Sequence, residues 1–258
     1  MILFFDVDGT LWDYKNYIPE STKKAIKLAQ ENGHKCFINT GRARAFVYNK
    51  ELLGIGFDGI VSACGCMIEY EDKVLFNKLM TRDEGIRTME AVKKHDFKAI
   101  LEGPTYLYMD KPDFAGDMFG QKVIREMGDR LLGITDKWGE WEMNKLSCIC
   151  DSPTRDECFE ELSDIYDFML HTDTIVEMVP KGFNKGTGIK EVCELLGCDV
   201  SETVAFGDSI NDKEMLEVAG TSVVMGRAPE EVKNLGTIVT ENLEDDGIWR
   251  ACEKLNLF

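Results

Sequence analysis

The order of apolar and polar positions predicts alternating strands and helices at the start of the chain. An apolar run at residues 2–5 predicts a buried strand. A helical pattern over 19–33 leads into a second strand at 34–38. A helix within 42–53 and a third strand at 59–63 continue the alternation. These elements predict a parallel sheet with crossover helices, as in a doubly wound α/β fold.

The pattern changes after this region and returns near residue 185. A predicted hairpin at 67–76 precedes a boundary near Met80. The segment from 81 to 180 alternates irregularly, which favours an α+β insertion. Its predicted helices are at 82–95, 120–132 and 155–165, and its predicted strands are at 98–101, 107–109, 146–150, 167–170 and 174–179. We therefore expect an α/β core of residues 1–80 and 181–258 that is interrupted by an α+β domain of residues 81–180.

The resumed core segment repeats the strand and helix alternation. Its predicted helices are at 185–196, 213–218 and 228–235, with a further closing helix, and its predicted strands are at 203–206, 221–224 and 237–239. Each of these strands can join the parallel sheet of the first sixty residues.

Composition and charge narrow the possible classes of function. The 258 residues are 44% hydrophobic and 30% charged, which is ordinary for a globular protein. The net charge of −17 disfavours binding to nucleic acid or to an anionic membrane surface. The chain has nine cysteines, which is an odd number, and its two close pairs are separated by only one residue. This pattern favours buried thiols in a reducing compartment over zinc sites or disulfides. With no signal peptide or spanning segment in the pattern, we expect a cytoplasmic protein.

The first strand ends in Asp6-Val7-Asp8-Gly9-Thr10, which places two carboxylates together. Such a pair can be stabilised by a bound cation, by a shared proton or by exposure to solvent. An ordinary acidic turn is the alternative, because Asp and Gly are common turn residues. The β-branched Val7 and the permissive Gly9 favour a functional loop.

Polar residues also follow other predicted strands, and active residues gather at the carboxyl ends of strands in such sheets. Thr40, Gly41 and Arg42 follow the second strand and could hold an anion, although Thr40 could equally cap a helix. Asp208 and Asp212 follow the strand at 203–206 and suit a hard cation such as Mg²⁺, or a turn and a helix cap.

Lys185 begins the resumed core segment. A lone lysine is usually exposed to solvent, but in this fold Lys185 would enter at the mouth of a site that holds several aspartates. There its charge could offset carboxylate repulsion and bind a phosphoryl oxygen.

Together these segments resemble the four ordered motifs of the haloacid dehalogenase superfamily, and specifically its Cof-type phosphatases with a type-II (C2B) cap. The motif residues are Asp6-Val7-Asp8-Gly9-Thr10, Thr40-Gly41-Arg42, Lys185 and Gly207-Asp208-Ser209-Ile210-Asn211-Asp212. The resemblance spans nearly the whole chain. It implies a Rossmann-like core, a cap at 81–180 that selects the substrate, and Mg²⁺ as the cofactor.

The resemblance also implies the roles of individual residues. It makes Asp6 the nucleophile and Asp8 the general acid and base. It assigns phosphate binding to Thr40, Gly41, Arg42, Lys185 and Asn211. It assigns the metal to Asp6, Asp208 and the Asp8 carbonyl, with Asp212 in support. The expected partner is a small phosphorylated metabolite, and the expected state is a monomer or a small homo-oligomer.

Two further points qualify this interpretation. Relatives often carry Asn-Gly-Ala where this chain has Cys64-Gly65-Cys66, so the usual Asn is missing. A phosphomutase or a non-catalytic phosphometabolite sensor could use the same motifs. Four aromatic residues of the insertion could meet a substrate or pack internally, and packing is favoured for each: Tyr106, Tyr108, Trp138 and Trp141.

Overall fold

The computed structural model describes residues 1–258, which divide into two compact units. The first unit comprises Met1–Gly41, Tyr48–Phe76 and Asn184–Phe258. The second comprises Arg42–Val47 and Asn77–Phe183. These bounds lie a few residues from the divisions at 80 and 180, and they add a short segment after the second strand to the second unit. That the second unit is a cap that selects the substrate stays a prediction.

The regular elements follow the predicted alternation. The fourteen strands are β1 (Ile2–Phe5), β2 (Lys35–Asn39), β3 (Gly59–Ser62), β4 (Met67–Tyr70), β5 (Lys73–Asn77), β6 (Lys98–Glu102), β7 (Leu107–Tyr108), β8 (Leu131–Leu132), β9 (Lys145–Ile149), β10 (Tyr166–Thr172), β11 (Ile175–Pro180), β12 (Thr203–Gly207), β13 (Thr221–Val224) and β14 (Ile238–Val239). The nine α-helices are α1 (Glu20–Glu31), α2 (Lys50–Leu53), α3 (Arg82–Lys94), α4 (Met118–Met127), α5 (Arg155–Leu162), α6 (Lys185–Leu196), α7 (Lys213–Val218), α8 (Glu230–Lys233) and α9 (Gly247–Lys254).

The predicted α/β fold class is confirmed by the sheet of the first unit. Its strand order is β14-β13-β12-β1-β2-β3-β4-β5. The pairs from β14 to β3 are parallel, and β4 joins β3 in the antiparallel sense. Strand β1 therefore lies between β2 and β12, where the order of connections reverses. The carboxyl end of such a central strand is the usual place for a ligand site in an open α/β sheet.

Both faces of this sheet are covered, which explains the continuous apolar strands. Phe4 and Phe37 share one buried cluster with Ile189 of α6 and Met215 of α7. On the other face, the Cys36 thiol donates to the Ile26 carbonyl of α1 at 3.9 Å. A parallel strand buried on both faces needs apolar residues at every position, as β1 has.

The helix expected within 42–53 is wrong in its extent. The structure has a 3₁₀ turn at Arg44–Phe46 and a short helix, α2. Val47 leaves the helical region with φ −91° and ψ 78°, and Asn49 caps the new helix by accepting bonds from the amides of Glu51 and Leu52. The β-branched and aromatic residues before Asn49 have low helix propensity, and Asn strongly favours the N-cap position.

Two other predicted helices are shorter than expected. Helix α4 ends at Met127 because Gly128 has a positive φ of 52°, and helix α8 covers only four residues. None of the nine helices is both long enough and apolar enough to cross a bilayer. The nine cysteines form no disulfide, and eight of them are buried.

The second unit contains a six-stranded sheet of order β10-β11-β9-β6-β7-β8. All of its pairs are antiparallel except β7 with β8. One face carries a buried apolar cluster that includes Leu101, Leu146 and Met178, packed with Val92 of α3 and Leu162 of α5. This is the α+β arrangement that the alternating pattern predicts.

Candidate active site

Asp6 directly follows β1 and is almost completely buried, at 3% exposed. Its amide continues the sheet by donating to the Phe206 carbonyl of β12 at 2.9 Å. Its carboxylate Oδ1 accepts a hydrogen bond from Lys185 Nζ at 2.6 Å. A buried carboxylate at a strand end is therefore fixed both by its backbone and by a cation.

Lys185 is the first residue of α6 and is only 2% exposed. The preceding Asn184 caps the helix through reciprocal bonds with Thr187, which sets where the lysine leaves the helix. Besides Asp6, Lys185 Nζ contacts Asp212 Oδ1 at 2.6 Å and Asn211 Oδ1 at 3.5 Å. The ammonium thus joins the ends of two neighbouring strands.

The loop after β12 is organised by Asp212, which is fully buried. While its Oδ1 takes the lysine, its Oδ2 accepts from the amides of Asp208 and Ser209 at 2.9 and 3.1 Å. Asp212 is at the N-cap position of α7, but its side chain makes no cap hydrogen bond there, so the helix-cap alternative is wrong for this side chain. Asp212 closes the turn that presents Asp208 and also holds Lys185.

Asp208 is itself held from the first loop. Thr10 Oγ1 donates to Asp208 Oδ1 at 3.0 Å. Gly9, with φ +93°, lies against the same carboxylate, and a Cβ at this position would lie 2.2 Å from Asp208 Oδ2. Only glycine fits this approach, so the Asp-x-Asp-Gly-Thr loop is shaped to the second acidic loop.

Burial and mutual repulsion perturb the acids of this cluster. Burial raises the pKa of Asp6 well above its ordinary value of 3.8, and Asp212 raises it further, against the lowering effect of Lys185. Burial and Asp212 likewise raise the pKa of Asp208 to about 6. Burial alone would lower the pKa of Lys185, but Asp212 and Asp6 raise it above its ordinary value, so the ammonium is charged.

Three carboxylates meet here and could hold a metal ion. Asp6, Asp208 and Asp212 each offer an oxygen within 4.8 Å of the others. An all-oxygen donor set suits a hard divalent cation such as Mg²⁺. The Asp8 carboxylate is outside this group, so a contribution of Asp8 through its backbone carbonyl stays a prediction.

Asp8 is exposed, and its Oδ1 accepts a hydrogen bond from Trp12 Nε1 at 3.0 Å. Its side chain thus differs from that of Asp6 in both exposure and partner. An exposed carboxylate beside a buried one suits a group that exchanges protons with a substrate or with water.

Thr40 and Gly41 follow β2, the strand next to β1. No helix begins at Thr40, so the helix-cap alternative for this residue is wrong. Thr40 is buried and accepts the Cys64 amide at 3.1 Å through its carbonyl. Arg42 belongs to the second unit, and its guanidinium lies 5.9 Å from the Phe46 ring centroid. Phosphate binding by these three residues stays a prediction.

The departure at Cys64 has a conformational consequence. Cys64 has φ 55° and ψ 41°, which is the left-handed region. Asn and Gly tolerate this region better than other residues do. The Asn common in relatives therefore suits this backbone, and Cys64 occupies it at a cost of about 1 kcal/mol.

Three of the four aromatic residues make contacts within the second unit, whereas Tyr106 is exposed. Tyr108 is buried and its hydroxyl accepts the Glu142 amide at 3.2 Å, while Trp141 donates to the Ile134 carbonyl at 3.1 Å. Trp138 lies edge-on to Trp141 and under Lys93, with its ring centroid 4.2 Å from Lys93 Nζ.

Three supporting residues were missed at the sequence level. They are Thr10 and Trp12, described above, and Asn39. The side-chain Nδ2 of Asn39 donates to the backbone carbonyl of Lys185 at 3.0 Å. Asn39 is buried at the end of β2. A polar residue ending an apolar strand was an available signal for Asn39, whereas the Trp12 side-chain contact has no signature in the spacing.

Comparisons with known proteins identify the family of this chain. The haloacid dehalogenase-like hydrolase family matches residues 3–252. YkrA of Bacillus subtilis (strain 168) is 30% identical over 275 residues, covering 99% of this chain and 98% of YkrA. Further relatives that align over nearly the whole chain are named as phosphatases.

Solved structures are similar over the same length. A protein from Geobacillus kaustophilus HTA426 has a TM-score of 0.87 at 28% identity, covering 100% of this chain and 99% of its own. The subclass IIB sugar phosphatase BT4131 has a TM-score of 0.82 at 25% identity, with the same coverage. The chain therefore belongs to the haloacid dehalogenase-like hydrolase family and is a phosphatase, a phosphoric monoester hydrolase, of that superfamily.

Proposed function

We propose that this phosphatase hydrolyses small phosphorylated metabolites, such as sugar phosphates, with Mg²⁺ and through an aspartyl-phosphate intermediate. The main observation behind this proposal is the buried Lys185 ammonium, which lies 2.6 Å from both Asp6 and Asp212. Asp208 belongs to the same acidic group. A nucleophilic carboxylate, a fixed cation and a set of oxygen ligands are the parts that this reaction needs.

The charge of the site supports a divalent cation. Three carboxylates surround one ammonium, and the raised pKa of Asp6 means that Lys185 does not fully offset burial and repulsion. Mg²⁺ held by Asp6, Asp208 and the Asp8 carbonyl would supply the missing positive charge, so that an anionic phosphate can approach an anionic nucleophile. Asp212 would support that site through the Asp208 loop, whose amides it holds.

In the first step, an Asp6 carboxylate oxygen forms a bond to phosphorus while the bond from phosphorus to the leaving oxygen breaks. Asp8 gives its proton to that oxygen, so the substrate leaves as a neutral alcohol. Lys185 stabilises charge on the transferring group. Thr40, Gly41, Arg42 and Asn211 would orient its remaining oxygens.

In the second step, water attacks the phosphorus of the aspartyl phosphate. Asp8, now ionised, takes the proton of the water, and the bond between phosphorus and the Asp6 oxygen breaks. Inorganic phosphate is released and the Asp6 carboxylate is restored. Asp8 thus starts the next cycle protonated.

The proposed substrate class has support from one relative. BT4131, a sugar phosphatase whose structure is solved, is 25% identical in sequence to this chain. A sugar phosphate or a similar alkyl monoester has a poor leaving group, which is where a general acid such as Asp8 contributes most. Selection among such substrates would fall to the second unit.

The test is hydrolysis of p-nitrophenyl phosphate with and without Mg²⁺, followed by a screen of phosphorylated metabolites for released phosphate. Asp6→Asn should abolish turnover and leave the folded structure intact, while the exposed Asp173→Asn control should match wild type. Acid quenching with a radiolabelled monoester should trap a phosphoenzyme in wild type only. Full turnover in Asp6→Asn would overturn the assignment, and transfer to a second substrate hydroxyl instead of water would indicate a phosphomutase.

A further inference from the structure

Asn39 is a polar residue at the end of the otherwise apolar inner part of β2. It is fully buried, and it follows Ile38, which pairs with Phe5 of β1 just before Asp6. Asn39 therefore lies beside the strand end that carries the proposed nucleophile. A buried amide is unfavourable unless it forms hydrogen bonds, so its partners indicate what it does at this position.

The side-chain amide of Asn39 is bonded to the first turn of α6. Its Nδ2 donates to the backbone carbonyl of Lys185 at 3.0 Å, and it lies 3.5 Å from Met215 Sδ of α7. A carbonyl oxygen only accepts hydrogen bonds, so the amide nitrogen must face it. An apolar residue of similar size could pack here without the cost of burying an amide. The bond to Lys185 is therefore what the asparagine adds.

The first turn of α6 fits closely between the sheet and α7. A Cβ at Gly186 would lie 2.4 Å from the backbone carbonyl oxygen of Glu214 on α7. A Cβ at Gly188 would lie 2.6 Å from Val61 Cγ1 of β3. Neither position has room for a side chain, so the helix backbone packs directly against its neighbours. This packing sets how far the helix start lies from the sheet, and the Asn39 bond ties its first carbonyl to β2.

We propose that Asn39 is a positioning residue that holds the first turn of α6, so that Lys185 Nζ stays between Asp6 and Asp212. This inference rests on the proposed function, because it acts through the charge that Lys185 places on the transferring group. The ammonium has two contacts of 2.6 Å, and both depend on where the helix begins. A displacement of about 1 Å in such a group can cost about a hundredfold in rate.

The test compares Asn39→Leu, which is similar in size but has no donor, with Asn32→Leu as the matched control. Asn32 also donates its Nδ2 to a backbone carbonyl, that of Leu28 at 2.9 Å, but it is exposed at the end of α1. Asn39→Leu should lower kcat for p-nitrophenyl phosphate with Mg²⁺ by about tenfold to a hundredfold, because the ammonium is displaced. Asn32→Leu should keep the wild-type kcat.

A double-mutant cycle separates positioning from a general structural effect. In the Lys185→Met background, Asn39→Leu should have no further effect on kcat, while it still lowers the midpoint of urea unfolding. If Asn39→Leu does not fold, the shorter, polar Asn39→Ser takes its place in the cycle. Independent, multiplicative effects on kcat, or wild-type kcat in Asn39→Leu while Lys185→Met is impaired, would overturn the role of Asn39. Wild-type turnover in Lys185→Met would instead contradict the proposed function itself, which assigns charge stabilisation to Lys185.

Discussion

Each unit of this protein contains one buried lysine held between two carboxylates, and the two clusters differ in whether a third carboxylate joins them. Lys185 in the first unit contacts Asp6 and Asp212. Lys145 in the second unit contacts Glu102, at 3.0 Å, and Glu177. Both lysines are 2% exposed. Equal burial and similar partners make the two clusters a natural pair for comparison.

The cluster in the second unit has two carboxylates around one ammonium, and both carboxylates have further hydrogen-bond partners. Ser147 donates to Glu102, and His171 lies 3.2 Å from the second oxygen of Glu177. Burial would raise the pKa of Glu177, but Lys145 and His171 lower it from 4.5 to about 2. Its carboxylate is therefore well stabilised in the ionised form.

The cluster in the first unit has one carboxylate more than the cluster in the second unit. Asp208 adds a third carboxylate, and the pKa of Asp6 is raised in spite of Lys185. Carboxylates whose ionised form is well stabilised, as that of Glu177 is, suit a structural role, whereas a third carboxylate and a raised pKa at Asp6 favour the binding of a further cation. The difference between the clusters is thus one of charge rather than of burial.

The largest expected effect is the loss of activity in Lys185→Met. Without its fixed cation, transition-state charge is less well stabilised, and we expect kcat for p-nitrophenyl phosphate to fall about a hundredfold to a thousandfold or more. Steady-state assays would measure this fall in kcat, on a variant that circular dichroism shows to be folded. Lys190→Met, at an exposed position of the same helix, is the control and should keep wild-type kcat. Retention of turnover in Lys185→Met would remove Lys185 from the mechanism.

The matched substitution Lys145→Met should instead act on stability. It leaves Glu102 and Glu177 buried without their cation, which should lower the free energy of unfolding by about 3–5 kcal/mol at neutral pH. Urea unfolding measures this, with the exposed Lys122→Met as control. Adding Glu102→Gln and Glu177→Gln should recover much of the loss, because no buried charge then remains. The comparison fails if Lys145→Met lowers kcat for p-nitrophenyl phosphate as much as Lys185→Met does.

Acid should weaken the cluster around Lys145 in a defined range of pH. The pKa of Glu177 is lower in the folded state, at about 2, than its ordinary value of 4.5. Its ionisation therefore contributes stability above pH 4.5, and this contribution is lost as the pH falls toward 2. The gap in unfolding free energy between wild type and Glu177→Gln should shrink by about 1–3 kcal/mol over this range. Unfolding at several pH values checks this, with the exposed Glu140→Gln as control; a gap independent of pH would contradict it.

The smallest effect is expected at the outer edge of the same cluster. The His171 side chain is 41% exposed, so solvent screens its contact with Glu177. His171→Ala should lower the free energy of unfolding by less than about 1 kcal/mol. The same urea measurement would show this. A loss of unfolding free energy equal to that of Lys145→Met would mean that the stability of this cluster depends on His171 as much as on the buried lysine.

The cluster around Lys185 could be predicted because its members follow strands or begin helices in recognisable motifs. The apolar runs place Asp6 and Asp208 after two parallel strands, and parallel strands in one sheet bring their carboxyl ends to one edge. The second cluster had no such signal. Its residues lie on three strands: Glu102 on β6, Lys145 on β9 and Glu177 on β11. These strands are neighbours in the sheet in the order β11-β9-β6, which differs from their order along the chain.

The sequence by itself determined the fold class, the alternation of elements and the candidate acids, because apolar period and motif spacing are local properties of the chain. The tertiary structure decided the partners: Lys185 between Asp6 and Asp212, Thr10 on Asp208 and Trp12 on Asp8. Hydrogen bonds have lengths of about 3 Å, so whether they form depends on strand register and side-chain rotamers. Only the packed chain specifies these. For the same physical reason, the different numbers of carboxylates beside Lys185 and Lys145 are visible only once the distant residues have met.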